Sequence, residues 1–242
     1  MARSRTRLVP VLQLIRSLRP DILDPRSAIA DRRLLVDGRF VVNPHALVRA
    51  DASVTLAPVR ALRGEDKLRA ALDVFEVEVR DRVCLDVGAA AGGFTRVLLE
   101  RGARLVYALD AGFGQLRSDL RAHPRVVNLE RTNLSRIAET PIRCWPIDLV
   151  TLDLSYLSLA NAVPQLERVR FAAGADLVAL VKPMFELGLP APPKAERDLR
   201  QAVDAAGRGV EAAGHWRVTG SMPSPVVGSR GARELLLHAR RV

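Results

Sequence analysis

Short apolar runs recur along the chain, separated by glycine, proline or charge, and their character changes near residue 60. Beyond that point short apolar runs at 83–87, 105–109, 126–129, 149–152 and 177–181, each bounded by glycine, proline or charge, read as strands. Helical patterns fall between them at 95–101, 115–122, 160–169 and 196–213. This alternation predicts an α/β architecture, a mainly parallel sheet covered by helices on both faces. Segments 215–220 and 234–238 supply its last two strands, seven in all. Before residue 60 the pattern is shorter: a helix at 8–18, two apolar runs around Asp37-Gly38 that predict a tight hairpin, and a third alternating strand at 51–56. The chain therefore reads as a small α+β module, 1–58, and a larger domain, 59–242, joined at Ala57-Pro58-Val59.

Charge adds a partner to this outline. The net charge of +10 favours a polyanion, and nucleic acid is the simplest choice. No stretch reaches the roughly 20 apolar residues that span a bilayer, so no membrane role is expected. Arg3, Arg5, Arg7, Arg16, Arg19, Arg26, Arg32, Arg33, Arg39 and Arg49 crowd the first module, as in an RNA-binding attachment, with a solvated basic face as the alternative. Cys84 and Cys144 fall in apolar segments and read as free thiols of a reducing compartment. Residues 1–7 lack the apolar core of a secretory signal, which points to the cytoplasm. His45, His123, His215 and His238 show no metal-ligand spacing, and no metal is expected.

Asp86-Val87-Gly88-Ala89-Ala90-Ala91-Gly92-Gly93-Phe94 follows the first strand of the large sheet and opens a helix, the place where open parallel sheets bind nucleotides and related ligands. Without side chains at Gly88, Gly92 and Gly93 a ligand can approach the backbone closely. Asp110 ends the next strand, placed for a ribose diol, and Arg131, Thr132 and Asn133 after the third strand would border an adenine. The turn lacks the Gly-x-Gly-x-x-Gly order of dinucleotide sites and suits S-adenosyl-L-methionine better. A purely structural glycine turn is the competing reading. Of 37 basic residues only Lys67, Lys182 and Lys194 are lysines. A lysine amine in a partly dry site can lose its proton, which a guanidinium does not.

These segments, together with Gly112-Phe113-Gly114-Gln115-Leu116, Glu130-Arg131-Thr132-Asn133, the run Thr151 to Leu159 and Leu180-Val181-Lys182-Pro183-Met184-Phe185-Glu186, resemble the consecutive motifs of the TlyA family. That family comprises FtsJ-like ribosomal RNA 2′-O-methyltransferases with an N-terminal S4 RNA-binding domain, some of them called hemolysins. The resemblance implies a Rossmann-like S-adenosylmethionine-dependent methyltransferase fold with an S4-like module. It implies S-adenosyl-L-methionine as cofactor, and ribosomal RNA or ribosomal subunits as partner. It further implies a catalytic Lys67, Asp153, Lys182 and Glu234 tetrad, with Glu234 in the last strand. Lys182 would be the proton acceptor, Lys67 would orient the acceptor hydroxyl, and the two carboxylates would hold the amines. Cofactor contacts would come from Asp86, Gly88, Ala89, Gly92, Gly93, Phe94, Asp110, Asn133 and Asp153.

The chain departs from the family at three places. Glu65-Asp66 sets two acids beside Lys67, where substrate contacts would differ; 187–194 is short and proline-rich; and Arg7-Leu8-Val9-Pro10 replaces the usual start of the S4 part, with Pro10 limiting any helix that begins before it. Lys194 matches no tetrad position and reads as a surface lysine or a phosphate contact. Two other functions stay open at this stage: O-methylation of a small hydroxylated or nucleoside substrate, and a non-catalytic RNA-binding assembly factor. An ordinary ion pair of Asp153 and Lys182 at strand ends, with Glu234 facing solvent, is the structural alternative to the tetrad.

Overall fold

A computed structural model describes residues 7–57, 62–228 and 231–242, apart from the side chains of 143 and 144. The Ala57-Pro58-Val59 joint, Arg3, Arg5 and the Cys144 thiol therefore lie in whole or in part outside the described residues. The chain forms two compact units, Met1–Arg60 and Ala61–Val242.

The first unit runs β1 (Leu8–Pro10), α1 (Val11–Leu18), α2 (Pro25–Ala30), β2 (Leu34–Val36), β3 (Arg39–Phe40), β4 (Leu47–Arg49) and β5 (Val54–Leu56). The helix expected from residue 8 begins instead at Val11: Pro10 stands at its N-cap position with φ −58°, and Leu8–Pro10 pairs antiparallel with β4. Proline has a fixed φ and no amide hydrogen, so it ends the strand and opens the helix. Asp37 and Gly38 both take positive φ, +47° and +74°, which closes the β2–β3 hairpin as a primed turn. The third strand, expected over 51–56, is confined to Val54–Leu56, where β5 pairs antiparallel with β2. Helix α2 was missed in the sequence, although Asp24-Pro25 signals it: the Asp24 carboxylate accepts the Ser27 N–H at 3.0 Å, and Pro25 fills the first helical turn. Val11, Ile15, Ile29 and Leu34 close a small core of their own.

The second unit runs α3 (Arg63–Val74), β6 (Val83–Val87), α4 (Gly93–Glu100), β7 (Leu105–Leu109), α5 (Ser118–Arg121), β8 (Val126–Leu129), β9 (Ile147–Leu152), α6 (Leu159–Leu166), β10 (Phe171–Val181), α7 (Pro183–Glu186), α8 (Glu196–Ala212), β11 (Trp216–Pro223) and β12 (Leu235–Arg241). Its seven strands lie in the order β11-β12-β10-β9-β6-β7-β8. The β6, β7, β8, β9 and β10 pairings are parallel, and β12 inserts antiparallel between β10 and β11. Every residue of β6 is buried, Asp86 among its apolar neighbours included. The chain winds outward in one direction from β6 and in the other from β9, so the boundary of these two strands is the topological switch point, where open sheets of this kind bind ligands.

Two sequence expectations change here. The helix expected at 115–122 shortens to Ser118–Arg121, because the amides of Gln115 and Leu116 are held by the Glu130 carboxylate at 2.6 and 3.0 Å. Helix α3 was not anticipated. Its surface is dominated by charge, and only Leu68, Ala71 and Leu72, at helical spacing, turn an apolar stripe to the core.

At the sheet edge away from the strands' carboxyl ends, buried Asp176 gathers three cationic or imidazole partners. Arg82 Nη1 lies at 2.5 Å, His238 Nε2 at 2.9 Å and Arg240 Nε at 3.2 Å. Against the burial that would raise it, hydrogen bonds from His238 and Arg82 hold the Asp176 carboxyl down to about 2. A depressed carboxyl adds stability above its unfolded value that is lost as pH falls through the folded one. Asp176→Ala, which strands buried partners, is expected to cost about 3–5 kcal/mol at pH 7, with the gap to wild type closing between pH ~4 and ~2; urea unfolding across that range measures it.

Candidate active site

The glycine turn brings the ends of β6 and β9 into contact. Gly88 has φ +83°, and a Cβ there would stand 2.4 Å from the carbonyl oxygen of Asp153. Only bare backbone fits. A Cβ on Gly93 would lie 3.1 Å from Gly64 Cα, so two glycines also let the first turn of α3 press against the first turn of α4. The resulting cleft, about 190 Å³, is lined by Leu62, Arg63 and Gly64 from one side and by Gly88, Ala89, Gly93, Phe94 and Asp153 from the other.

The carboxylates expected around it divide into roles. Asp110 Oδ2 accepts the Ala90 N–H at 2.9 Å and Oδ1 accepts the Gly112 N–H at 2.6 Å, so this residue braces the turn from the neighbouring strand. Asp86 is wholly buried beneath the turn and outside the cleft lining, its two oxygens taken by the hydroxyls of Thr95 at 2.6 Å and Thr151 at 2.9 Å. Burial pushes its carboxyl up to about 6, opposed by those two hydrogen bonds. Asn133 caps the following 3₁₀ segment, accepting the Ser135 N–H at 3.0 Å, and Gly92 packs against Leu120; neither lines the cleft. Arg131, at φ +58°, lays its guanidinium over the exposed Phe113 ring at 3.8 Å.

Sheet register then sets a row of charged groups. Val181 pairs with Leu235 across β10 and β12, which places Lys182, the next residue, opposite Glu234, the residue before. Glu234 therefore sits just ahead of β12 and not within the last strand. Parallel pairing of Leu152 with Val87 and Ala179 brings Asp153 to the same edge. Lys182 Nζ meets Asp153 Oδ1 at 2.5 Å and donates to Ser155 Oγ at 2.8 Å. Lys67, delivered by α3, meets Glu234 Oε2 at 2.5 Å with both side chains 7% exposed. Lys182, Ser155 and Glu234 line a second cavity of about 260 Å³, walled by Met184, Phe185 and Pro192. Lys194 is exposed and belongs to neither pair.

Of the two acids expected beside Lys67, Asp66 is exposed and Glu65 has a structural place. It is buried, caps α3 by accepting the Leu62 N–H at 3.1 Å, and pairs with Arg69 and Arg96. Glu186 was read only as part of a motif. Its Oε1 accepts the Leu159 N–H at 3.0 Å, and burial pushes its carboxyl up to about 7. The i,i+4 spacing of Glu65 and Arg69 is a helical ion-pair signal once α3 is known, whereas Arg96 and Leu159 lie on other elements and no spacing announces them.

The profile of the FtsJ-like methyltransferase family matches residues 61–241. The 16S/23S rRNA (cytidine-2′-O)-methyltransferase TlyA of Mycobacterium tuberculosis is 40% identical over 217 residues, which covers 86% of this chain and 80% of that one. Among solved structures, one assigned as a hemolysin of Streptococcus thermophilus superposes with TM-score 0.70 at 27% identity, covering 98% of this chain and 90% of its own. Another, assigned as a hemolysin of Lactococcus lactis, gives TM-score 0.69 at 32% identity over 75% of this chain and 88% of its own.

A carboxyl raised by burial favours the protonated fold, so its contribution falls as pH rises through the interval between the unfolded and folded values. For Glu186 that interval runs from 4.5 to about 7. Glu186→Gln keeps an acceptor oxygen for Leu159 without the charge. It is expected to be more stable than wild type at pH 8 and equal to it at pH 4, as read by urea unfolding at both values.

Proposed function

The chain belongs to the FtsJ-like methyltransferases, and from that premise we propose that it methylates a ribose 2′-hydroxyl of ribosomal RNA through Lys182, Lys67, Asp153 and Glu234. The observation that carries this reading is the pair of lysine–carboxylate contacts at the switch-point edge, one beside the glycine turn and the other buried behind it.

The cofactor is S-adenosyl-L-methionine, and the cleft suits it: the turn offers bare backbone at Gly88 and Gly93, and Asp110 stands at the next strand end. Gly88, Ala89, Gly93 and Phe94 would hold it, with Asp110 on the ribose side and Arg131 and Asn133 towards the adenine. Asp86 would act from beneath, by fixing the turn. S-adenosyl-L-methionine supplies a methyl group on a sulfonium, and in-line transfer forms one C–O bond, breaks one C–S bond and frees one proton.

That proton needs a destination. Lys182, held between Asp153 and Ser155, is suited to take it in its neutral form, whereas arginine at this place would keep the charge and supply no base. Lys67 would orient the acceptor oxygen and stabilise developing negative charge, with Glu234 fixing its amine. Gly228 supports that arrangement, since a Cβ there would stand 2.2 Å from Glu234 Oε1.

The first unit is proposed as an S4-like RNA-binding module. Arg19 and Arg49 are engaged by Asp21 and Asp51, which leaves exposed Arg7, Arg16, Arg26, Arg32 and Arg39 for phosphate contacts. Binding through phosphates is salt-sensitive. Among the described residues no helix is long and apolar enough to cross a membrane. A ribosomal substrate puts the protein in the cytoplasm on this reading.

Lys182→Arg is expected to abolish transfer of tritiated methyl to ribosomal RNA while leaving the cofactor dissociation constant unchanged; normal turnover would remove the proton-acceptor role. Asp110→Ala is expected to weaken cofactor affinity, measured by calorimetry, and an unchanged constant would show that Asp110 does not face the ribose. The same methyl-transfer assay, run on small subunits, large subunits, whole ribosomes and free nucleosides, tests the substrate class. Labelling confined to free nucleosides would sink the ribosomal reading.

A further inference from the structure

The loop from the end of β9 to the start of α6 carries both acceptors of the Lys182 amine, Asp153 Oδ1 at 2.5 Å and Ser155 Oγ at 2.8 Å. It is fastened at both ends. Upstream, the Asp153 N–H donates to the Val87 carbonyl at 3.0 Å. Downstream, the Leu159 N–H donates to Glu186 Oε1 at 3.0 Å. Glu186 closes the single turn α7, which starts directly after Lys182, and the amides of Phe185 and Glu186 donate to the Lys182 carbonyl at 2.9 and 3.2 Å. The contacts form a ring: amine to loop, loop to Leu159, Leu159 to Glu186, and Glu186 back to the main chain of Lys182.

Helix α6 has no local need for this arrangement. Ser158 occupies its N-cap position, where a serine hydroxyl ordinarily accepts from the first turn, yet Ser158 makes no capping bond. The side-chain acceptor at this helix start is a carboxylate on another element, which takes the amide of Leu159, the first helical residue, from a half-buried place where ionisation is opposed by desolvation. Ser158 could cap the second or third amide of α6 without any ionisable group, and it does not. The remote cap adds what Ser158 cannot, a direct link to the backbone that positions Lys182.

We infer that Glu186 is a positioning residue for Lys182, setting the distance between its amine and the Asp153 and Ser155 oxygens by tying their loop to the turn that begins at the lysine. The inference rests on the reading of Lys182 as proton acceptor and names what fixes that acceptor in place. A shift of order 1 Å at a reacting group lowers rates about a hundredfold.

The chain holds only three lysines, so full-length protein labelled with isotopic lysine gives three side-chain resonances, assignable by substituting each in turn. In Glu186→Ala the Lys182 resonance is expected to move, and single-turnover methyl transfer to fall roughly ten- to a hundredfold, with the cofactor dissociation constant unchanged. Glu186→Gln, which retains an acceptor for Leu159, is expected to restore both. Glu186→Leu, of similar volume, replaces the alanine variant if that one fails to fold. An unmoved Lys182 resonance in a folded Ala or Leu variant overturns the inference, as does a full transfer rate in that variant or a Gln variant as impaired as the Ala one. Failure of the ribosomal reading shows differently: wild type is then inactive on every ribosomal RNA, while the resonance still reports whether residue 186 sets the amine.

Discussion

Gly88 meets the carbonyl of Asp153 so closely that any Cβ at that position would occupy the space of the oxygen. Most of the site follows from that contact. Closing the gap between the ends of β6 and β9 sets the glycine turn against the residue that holds Lys182, so the cleft proposed for the methyl donor and the amine proposed to accept a proton share one border. Gly64 and Gly93 repeat the principle one layer out, where missing side chains bring the first turn of α3, and with it Lys67, against the turn. Approach of bare backbone here does what side-chain contacts do elsewhere in the core.

Charge is distributed unequally between the two edges of the large sheet. Away from the site, Asp176 is satisfied by Arg82, His238 and Arg240, and its carboxyl is held low. At the site edge, Asp86 and Glu186 are both raised by burial, with neutral hydroxyls or a backbone amide as their hydrogen-bond donors. One edge contributes stability through its carboxylate; the other gives some up in order to place groups. Carboxyls raised by desolvation are a common mark of functional regions.

The sequence revealed some of these features and concealed others for physical reasons. Buried parallel strands announce themselves, and 83–87 and 105–109 coincide with β6 and β7 because strands covered on both faces have no solvent-facing side to blur the pattern; 126–129 matches β8 although that edge strand is only partly buried. The resemblance to the TlyA family agrees with the matched family profile and with the relative from Mycobacterium tuberculosis. Asp37-Gly38 and the glycine turn were legible because positive φ restricts residue choice. Helix α3 was not, since its charged surface masks a narrow apolar stripe. Glu65, Asp86 and Glu186 carried no warning that they work by holding backbone or neighbouring hydroxyls, because their partners lie on other elements or in an unmarked turn. The scarcity of lysine was the most useful clue from composition: two of the three meet carboxylates at 2.5 Å, and the third is exposed.

The antiparallel insertion of β12 has a consequence for biogenesis. Glu234 is translated long after Lys67, Asp153 and Lys182, and it reaches its place only once the final strand slots between β10 and β11. A nascent chain that has emitted everything up to β11 has its donor cleft residues but lacks the counter-ion of Lys67. On the proposed reading the four groups are complete only when β12 is in place beside β10, and a chain not yet extended past residue 234 lacks one of them.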